Sequence, residues 1–190
     1  MNADRKIIIA ITGASGSIYA RKLLETLSGM KRQPAEIAVI LSDNGREIWK
    51  SETGTDFSAC TPLKEYNNNS FYAPCASGSS SYDTMIICPA SMGTIGRIAN
   101  GTSDDLIARA ADVMLKERRK LIIVPRETPY NLFHIRNMES LTLSGAIICP
   151  ASPSFYSKPE TISDLVMTVV ERIVSLAGFE AGVYRWMEND

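Results

Sequence analysis

Four stretches set reactive residue types close together. Ala90-Ser-Met-Gly-Thr94 places small side chains, two hydroxyls and exposed backbone N–H groups after the apolar run Thr84-Met-Ile-Ile-Cys88. Such a strand-to-helix turn suits an anion or the edge of a flavin, because the first N–H groups of a helix lack intrahelical acceptors and its dipole is positive there. Gly13-Ala-Ser-Gly16 follows another apolar run and lets the backbone approach a phosphate closely. Gly13, Ser15 and Ile18 stand where the dinucleotide fingerprint has three glycines, so a plain tight turn fits these residues too. Arg126-Glu127 ends the run Leu121-Ile-Ile-Val124 and puts a cation and an acid at the carboxyl end of a strand, where α/β sheets hold their ligands. Between these stretches, a helix opening at Ser103-Asp-Asp105 carries Arg109, Asp112, Lys116, Glu117, Arg118 and Arg119. The charges over 116–120 also fit a solvated face.

The elements that must position these residues alternate between strand and helix signals. Lys6–Thr12 and Glu36–Leu41 are continuous apolar runs of the kind buried on both faces of a parallel sheet. The first leads into a helix with Ile18, Leu23, Leu24 and Leu27 inward. The second leads, through a Ser42 or Asp43 cap, into a helix carrying Ile48 and Trp49. Residues 54–83 read as irregular, with flexible segments at 67–70 and 76–81; a loop of this length is a functional lid or a solvated one. Pro89 is expected to stop the strand before it, and Asn100-Gly101 to end the helix that follows. Thr128-Pro129 reads as an N-cap and first helical residue. That helix carries His134, the one histidine, whose neighbours Asn131, Ile135 and Met138 favour a structural or surface role. Ile-Ile-Cys-Pro-Ala-Ser at 86–91 recurs at 147–152, implying two equivalent strand ends on one rim, the second from the strand 146–149. Thr161-Ile-Ser-Asp164 opens a last helix with an apolar stripe from Ile162 through Leu165, Val166, Val169 and Val170 to Ile173, with Arg172 beside it. The pattern predicts a single α/β domain over residues 1–190, a Rossmann-like or flavodoxin-like three-layer sandwich with a parallel sheet.

Composition bounds the function. A chain of 190 residues, 45% hydrophobic and 22% charged, supports one sizeable core. Its net charge of −1 gives no bulk attraction to nucleic acid or membrane. No apolar run approaches the roughly 20 residues needed to span a bilayer, and no cleavable leader is legible, so a cytoplasmic location is expected. Cys60, Cys75, Cys88 and Cys149 lack metal-pair spacing and read as buried, reduced thiols.

The run from Ala108 to Arg119, followed by Val124-Pro-Arg-Glu-Thr-Pro129, resembles the flavin prenyltransferase family, the UbiX/Pad-type proteins once described as aromatic acid decarboxylases. Thr12–Gly16, Phe155-Tyr156 and Pro159 match as well, and the resemblance covers about residues 6–186. It implies that reduced FMN, itself a substrate, receives the dimethylallyl group of dimethylallyl phosphate at N5 and C6, with no metal. Carried over, Gly13, Ala14, Ser15, Ser42, Ser91, Met92, Gly93, Thr94 and Arg126 hold FMN, and Trp186 in the tail 179–190 closes the site, the tail packing on a neighbouring subunit. Ser77, Arg109, Lys116, Tyr156 and Arg172 hold the phosphate ester, with Phe71 a candidate wall. Glu52, Glu127 and Ser15 are the catalytic set. A homo-oligomer, a dodecamer, and a UbiD-type decarboxylase receiving prenylated FMN are the implied partners. Two departures from the family pattern are Asp43, often Lys, and Ala90, usually Cys. A flavin-dependent cysteine decarboxylase shares Pro89-Ala-Ser91 but needs a histidine on an early helix, and a non-catalytic flavin carrier leaves Arg109, Lys116, Glu127, Tyr156 and Arg172 without a use.

Overall fold

Isoleucine-rich runs without a polar break form the centre of the sheet. Strands β1 (Lys6–Ile11), β2 (Glu36–Leu41) and β5 (Lys120–Pro125) bury every residue after the first, as strands covered on both faces must. The computed structural model describes residues 4–180. These strands join β3 (Leu63–Asn67), β4 (Tyr82–Ala90) and β6 (Ile147–Ile148) in one parallel sheet of order β3-β2-β1-β4-β5-β6. Helices α1 (Ser17–Ser28), α2 (Asp43–Thr53) and α6 (Ile162–Leu176) cover one face, and α3 (Met92–Ala99), α4 (Leu106–Lys116) and α5 (Leu132–Leu143) the other. The pleat of β1 divides its side chains accordingly. Ile7, Ile9 and Ile11 pack with Leu23, Leu27 and Val170, while Ile8 and Ala10 pack with Ile95, Ala110 and Met114. This is the expected three-layer arrangement, with the strand order of a Rossmann fold. The order reverses between β1 and β4, and the crevice at their carboxyl ends is where such sheets take ligands.

Several local expectations are corrected. β4 does not stop at Pro89 but runs to Ala90. Its pairing with β5 skips from Ile87↔Ile123 to Ala90↔Pro125, so Pro89 sits in a bulge where no ladder donor is required. The irregular segment contains β3, an edge strand whose Leu-Lys-Glu-Tyr-Asn sequence carries little apolar signal. α4 ends at Lys116, leaving Glu117, Arg118 and Arg119 beyond it, with Arg118 at φ 55. Thr128 does not cap α5: Asn131 does, accepting from His134 N–H at 2.9 Å while His134 Nδ1 accepts from Asn131 N–H at 3.4 Å. That exchange gives His134 its structural role. Ile18 and Ile162 are exposed rather than inward, and Cys60 is exposed. Thr161 and Asp164 do form a capping box, and β4 and β6 flank β5, so the repeated motif ends on one rim.

The opposite end of the sheet is latched to the end of α6. Arg5 pairs with Asp83 at 2.7 Å, donates to the Ala177 carbonyl at 3.0 Å and lies 4.4 Å over the Phe179 ring. Lys120 donates to the Leu176 carbonyl at 2.7 Å. Cations on the last carbonyls of a helix satisfy orphan acceptors and oppose its dipole. Phe179, which opens the tail, therefore packs into this chain's own core; Trp186 lies outside the described residues. Burial alone would raise the Asp83 carboxyl, but hydrogen bonds from Arg5 and Thr84 and the nearby cations hold it below the ordinary range. A depressed folded pKa stabilises above the unfolded value and is lost as pH falls through the folded one. Asp83→Asn should thus melt lower than the unaltered chain at neutral pH and lose less on acidification to about pH 3. An unchanged acid response in thermal melts would contradict the latch. Among the described residues no helix is long and apolar enough to cross a membrane.

Candidate functional site

The end of β1 is built for close approach. Thr12, fully buried, accepts from Ser91 N–H at 2.8 Å through Oγ1 and donates through the same oxygen to the Pro89 carbonyl at 2.9 Å. This hydroxyl stitches the carboxyl ends of β1 and β4 together. A Cβ on Gly13 would lie 2.7 Å from that of Asn44, and one on Gly45 would overlap the Ile11 carbonyl. The first turn of α2 therefore packs directly on the end of β1. Ser42 caps α2, its hydroxyl oxygen accepting from Gly45 N–H at 3.0 Å, which leaves its own proton free to donate.

Ser91 caps α3 in the same way, accepting from Thr94 N–H at 3.3 Å, with the two hydroxyl oxygens 3.1 Å apart. Met92 and Gly93, in the first turn, have no intrahelical acceptor for their N–H groups. Open space lies where a Gly93 side chain would stand. Gly13, Ser42, Ser91, Gly93 and Thr94 line one cavity of about 680 Å³, whereas Ala14, Ser15, Met92 and Arg126, which the sequence reading groups with them, are not among its lining residues. Its hydroxyl and amide donors, and the cradle open at Gly93, fit the phosphate and ribityl end of FMN.

Beside this cavity, Ser15, Glu52 and Arg126 form a second group. The Glu52 carboxylate accepts from Gly16 N–H at 3.0 Å and Ser17 N–H at 2.7 Å, and Arg126 Nε donates to the Ser15 carbonyl at 2.8 Å. Burial would raise the Glu52 carboxyl; hydrogen bonds from the Ser15 hydroxyl and the Ser17 and Gly16 amides outweigh it and hold the group below the usual carboxylate range. The start of α1, read in the sequence as a phosphate cradle, is thus filled by the chain's own carboxylate. At the start of α3 the first N–H groups have no intrahelical acceptor. Glu127, next to Arg126, is exposed, and its Oε1 accepts from Thr128 N–H at 3.0 Å.

A third group gathers on α4 and the 76–79 loop. Arg109 donates to the Ala76 carbonyl at 3.1 Å and to Asp112 at 3.0 Å, the Ser77 and Ser79 hydroxyls lie 2.9 Å apart, and Lys116 pairs with Glu117. Arg172 is exposed on α6 beside Cys149, whose thiol burial raises and Arg172 lowers, burial prevailing. Tyr156 is exposed in the preceding loop. Among the described residues no hydrogen bond or ion pair joins Ser77, Arg109 or Lys116 to Arg126, Glu127 or Arg172. One chain thus brings Gly13, Ser42, Ser91, Gly93 and Thr94 to one cavity, while Arg109 and Lys116 on α4 and Arg172 on α6 lie on opposite faces of the sheet.

The sequence reading missed Arg97. Its Nη1 donates to Asp104 at 2.9 Å and Asp105 at 2.7 Å, and Nη2 to Thr94 Oγ1 at 3.5 Å, all facing the cavity. Asp105 also caps α4, accepting from Ala108 N–H at 2.8 Å. A basic residue in the last turn of a helix reads as an ordinary dipole partner, and only the fold reveals the cavity beside it.

The Flavoprotein family model matches residues 1–174. The flavin prenyltransferase UbiX of Methanocaldococcus jannaschii is 44% identical over 184 residues, spanning 95% of this chain and 98% of that one. The crystal structure of AnUbiX (PadA1) in complex with FMN and dimethylallyl pyrophosphate superposes with a TM-score of 0.89 at 38% identity, covering 98% of this chain and 100% of that one. A dodecameric FMN-dependent UbiX-like decarboxylase from Escherichia coli O157:H7 gives 0.87 at 37% identity, covering 96% and 99%. With donors for a flavin phosphate at the switch point of its sheet and this likeness along nearly its whole length, the chain belongs to the UbiX-type flavin prenyltransferase family.

Proposed function

We propose that this protein transfers the dimethylallyl group of dimethylallyl phosphate to N5 and C6 of reduced FMN, and that the prenylated FMN serves a UbiD-type decarboxylase. The observation carrying the reading is the cavity at the end of β1 and α3, with the Ser15–Glu52–Arg126 group at its side. Reduced FMN, when bound, supplies the nucleophilic nitrogen and carbon.

The chain's residues do the rest. Ser91, Met92, Gly93 and Thr94 offer the α3 N-terminus to the flavin phosphate, and Gly13, Ala14 and Ser42 close around the ribityl chain. Arg126 holds the Ser15 turn in place. Glu52, kept ionised at neutral pH by its hydrogen bonds, can serve only as an acceptor and not as a proton donor, and the Ser15 hydroxyl bonded to it is the link toward the reacting atoms. Glu127 serves the second proton movement. Arg109, Lys116, Tyr156 and Arg172, with Ser77, bind the ester phosphate and stabilise it most as it departs, when its charge is greatest. Because α4, which carries Arg109 and Lys116, and α6, which carries Arg172, cover opposite faces of the sheet, the site is completed between copies in a homo-oligomer. The outward residues Leu132, Phe133, Ile135 and Leu143 give α5 an apolar surface suited to such contact.

The reading expects orthophosphate release from dimethylallyl phosphate only when reduced FMN is present, under anaerobic conditions. Release independent of the flavin, or none at all, would overturn it. Since the α3 seat offers donors for one phosphate, FMN should also bind more tightly than FAD in a titration; equal affinities would count against the seat.

A further inference from the structure

Among the described residues lining the cavity, Arg97 is the one cation, facing the three carboxylates Asp43, Asp104 and Asp105. A flavin phosphate seated on α3 would enter a field of net negative side-chain charge unless that cation turned toward it. From the geometry we infer that Arg97 is a positioning residue for the flavin phosphate, drawn from Asp104 toward the anion seat when a phosphorylated flavin binds. The inference rests on the reading that this cavity takes FMN.

Three observations carry it. The guanidinium already reaches the seat, since Nη2 donates to Thr94 Oγ1, whose neighbour Ser91 caps the helix. Its Nε has no acceptor among the described residues, so it can make a further bond without giving up an existing one. Arg97 also stands four residues after Gly93. Side chains on a helix tilt toward its N-terminus and lie over the residue one turn earlier, and at Gly93 that space is open. The two carboxylates hold it unequally. Asp105 is largely buried and fixed as the α4 cap, whereas the Asp104 side chain is 56% exposed and serves no cap. Asp104 is therefore the partner that yields.

Riboflavin, which lacks the phosphate, separates this role from a structural bridge between α3 and α4. Arg97→Gln should weaken FMN binding by about 10- to 100-fold, the worth of a charge-assisted hydrogen bond, and leave riboflavin binding within about 3-fold. Arg97→Lys should recover part of the loss. Asp104→Asn, which keeps the α4 cap, should raise the preference for FMN over riboflavin by a few-fold, because the guanidinium is then less neutralised. Equal losses for both flavins in Arg97→Gln, or an unchanged preference in Asp104→Asn, would overturn the inference. Failure of the unaltered protein to bind either flavin would instead refute the cavity assignment on which it rests.

Discussion

Glu127→Gln should keep FMN affinity within a few-fold and slow prenyl transfer by about 10²- to 10⁴-fold, the usual worth of a positioned acid or base. Glu127 follows the buried end of β5, is exposed, and forms no ion pair with Arg126 among the described residues. Its one contact among the described residues is with the next N–H, at Thr128, and a glutamine oxygen accepts that bond equally well. The substitution therefore removes a titratable group while retaining the turn. Arg126 stays on the Ser15 carbonyl and the α3 seat is untouched, so flavin binding has no reason to change. FMN titration and single-turnover rates on the same variant check this. Weakened FMN binding with an unchanged chemical step would assign Glu127 to positioning and contradict the catalytic role.

Thr12→Val should cost on the order of 1–3 kcal/mol of stability and weaken FMN binding, whereas Thr12→Ser should do neither to a comparable extent. The shapes are nearly equal, so the loss is that of the hydroxyl. It removes the acceptor of Ser91 N–H and one of the two donors to the Pro89 carbonyl, the other being Thr12 N–H at 3.2 Å. The orphaned Ser91 N–H lies where the α3 cap is set, so the penalty and the loss of the anion seat share one cause. Denaturant unfolding and FMN titration of both variants would show it. A Val variant as stable as Ser, with full FMN affinity, would mean that the stitch between β1 and β4 holds nothing.

The sheet was legible wherever burial on both faces leaves a run such as Ile7–Ile11 with no polar residue, and so were the caps at Ser42 and Thr161, whose bonds are local. β3 was not, because an edge strand solvated on one side carries Lys64 and Glu65 and looks like a loop. The start of α5 was misplaced because Thr128-Pro129 and Asn131 are both good openings, and the reciprocal His134 bond decides between them. At the site, the residues on turns following strands could be read in order, since their neighbours in sequence are their neighbours in space. Glu52 on the α1 N-terminus spans 36 positions, and Arg97 turning to Asp105 depends on the loop between α3 and α4. Those contacts fill the Gly16 and Ser17 N–H groups with the chain's own carboxylate and set a cation, Arg97, beside the cavity.

The most direct test is the mass of the flavin after anaerobic incubation of the protein with reduced FMN and dimethylallyl phosphate. The account predicts a flavin heavier by one dimethylallyl unit, formed only with protein, ester and reduced FMN together. Unmodified FMN recovered from protein that demonstrably binds it, with the ester intact, would contradict the central claim.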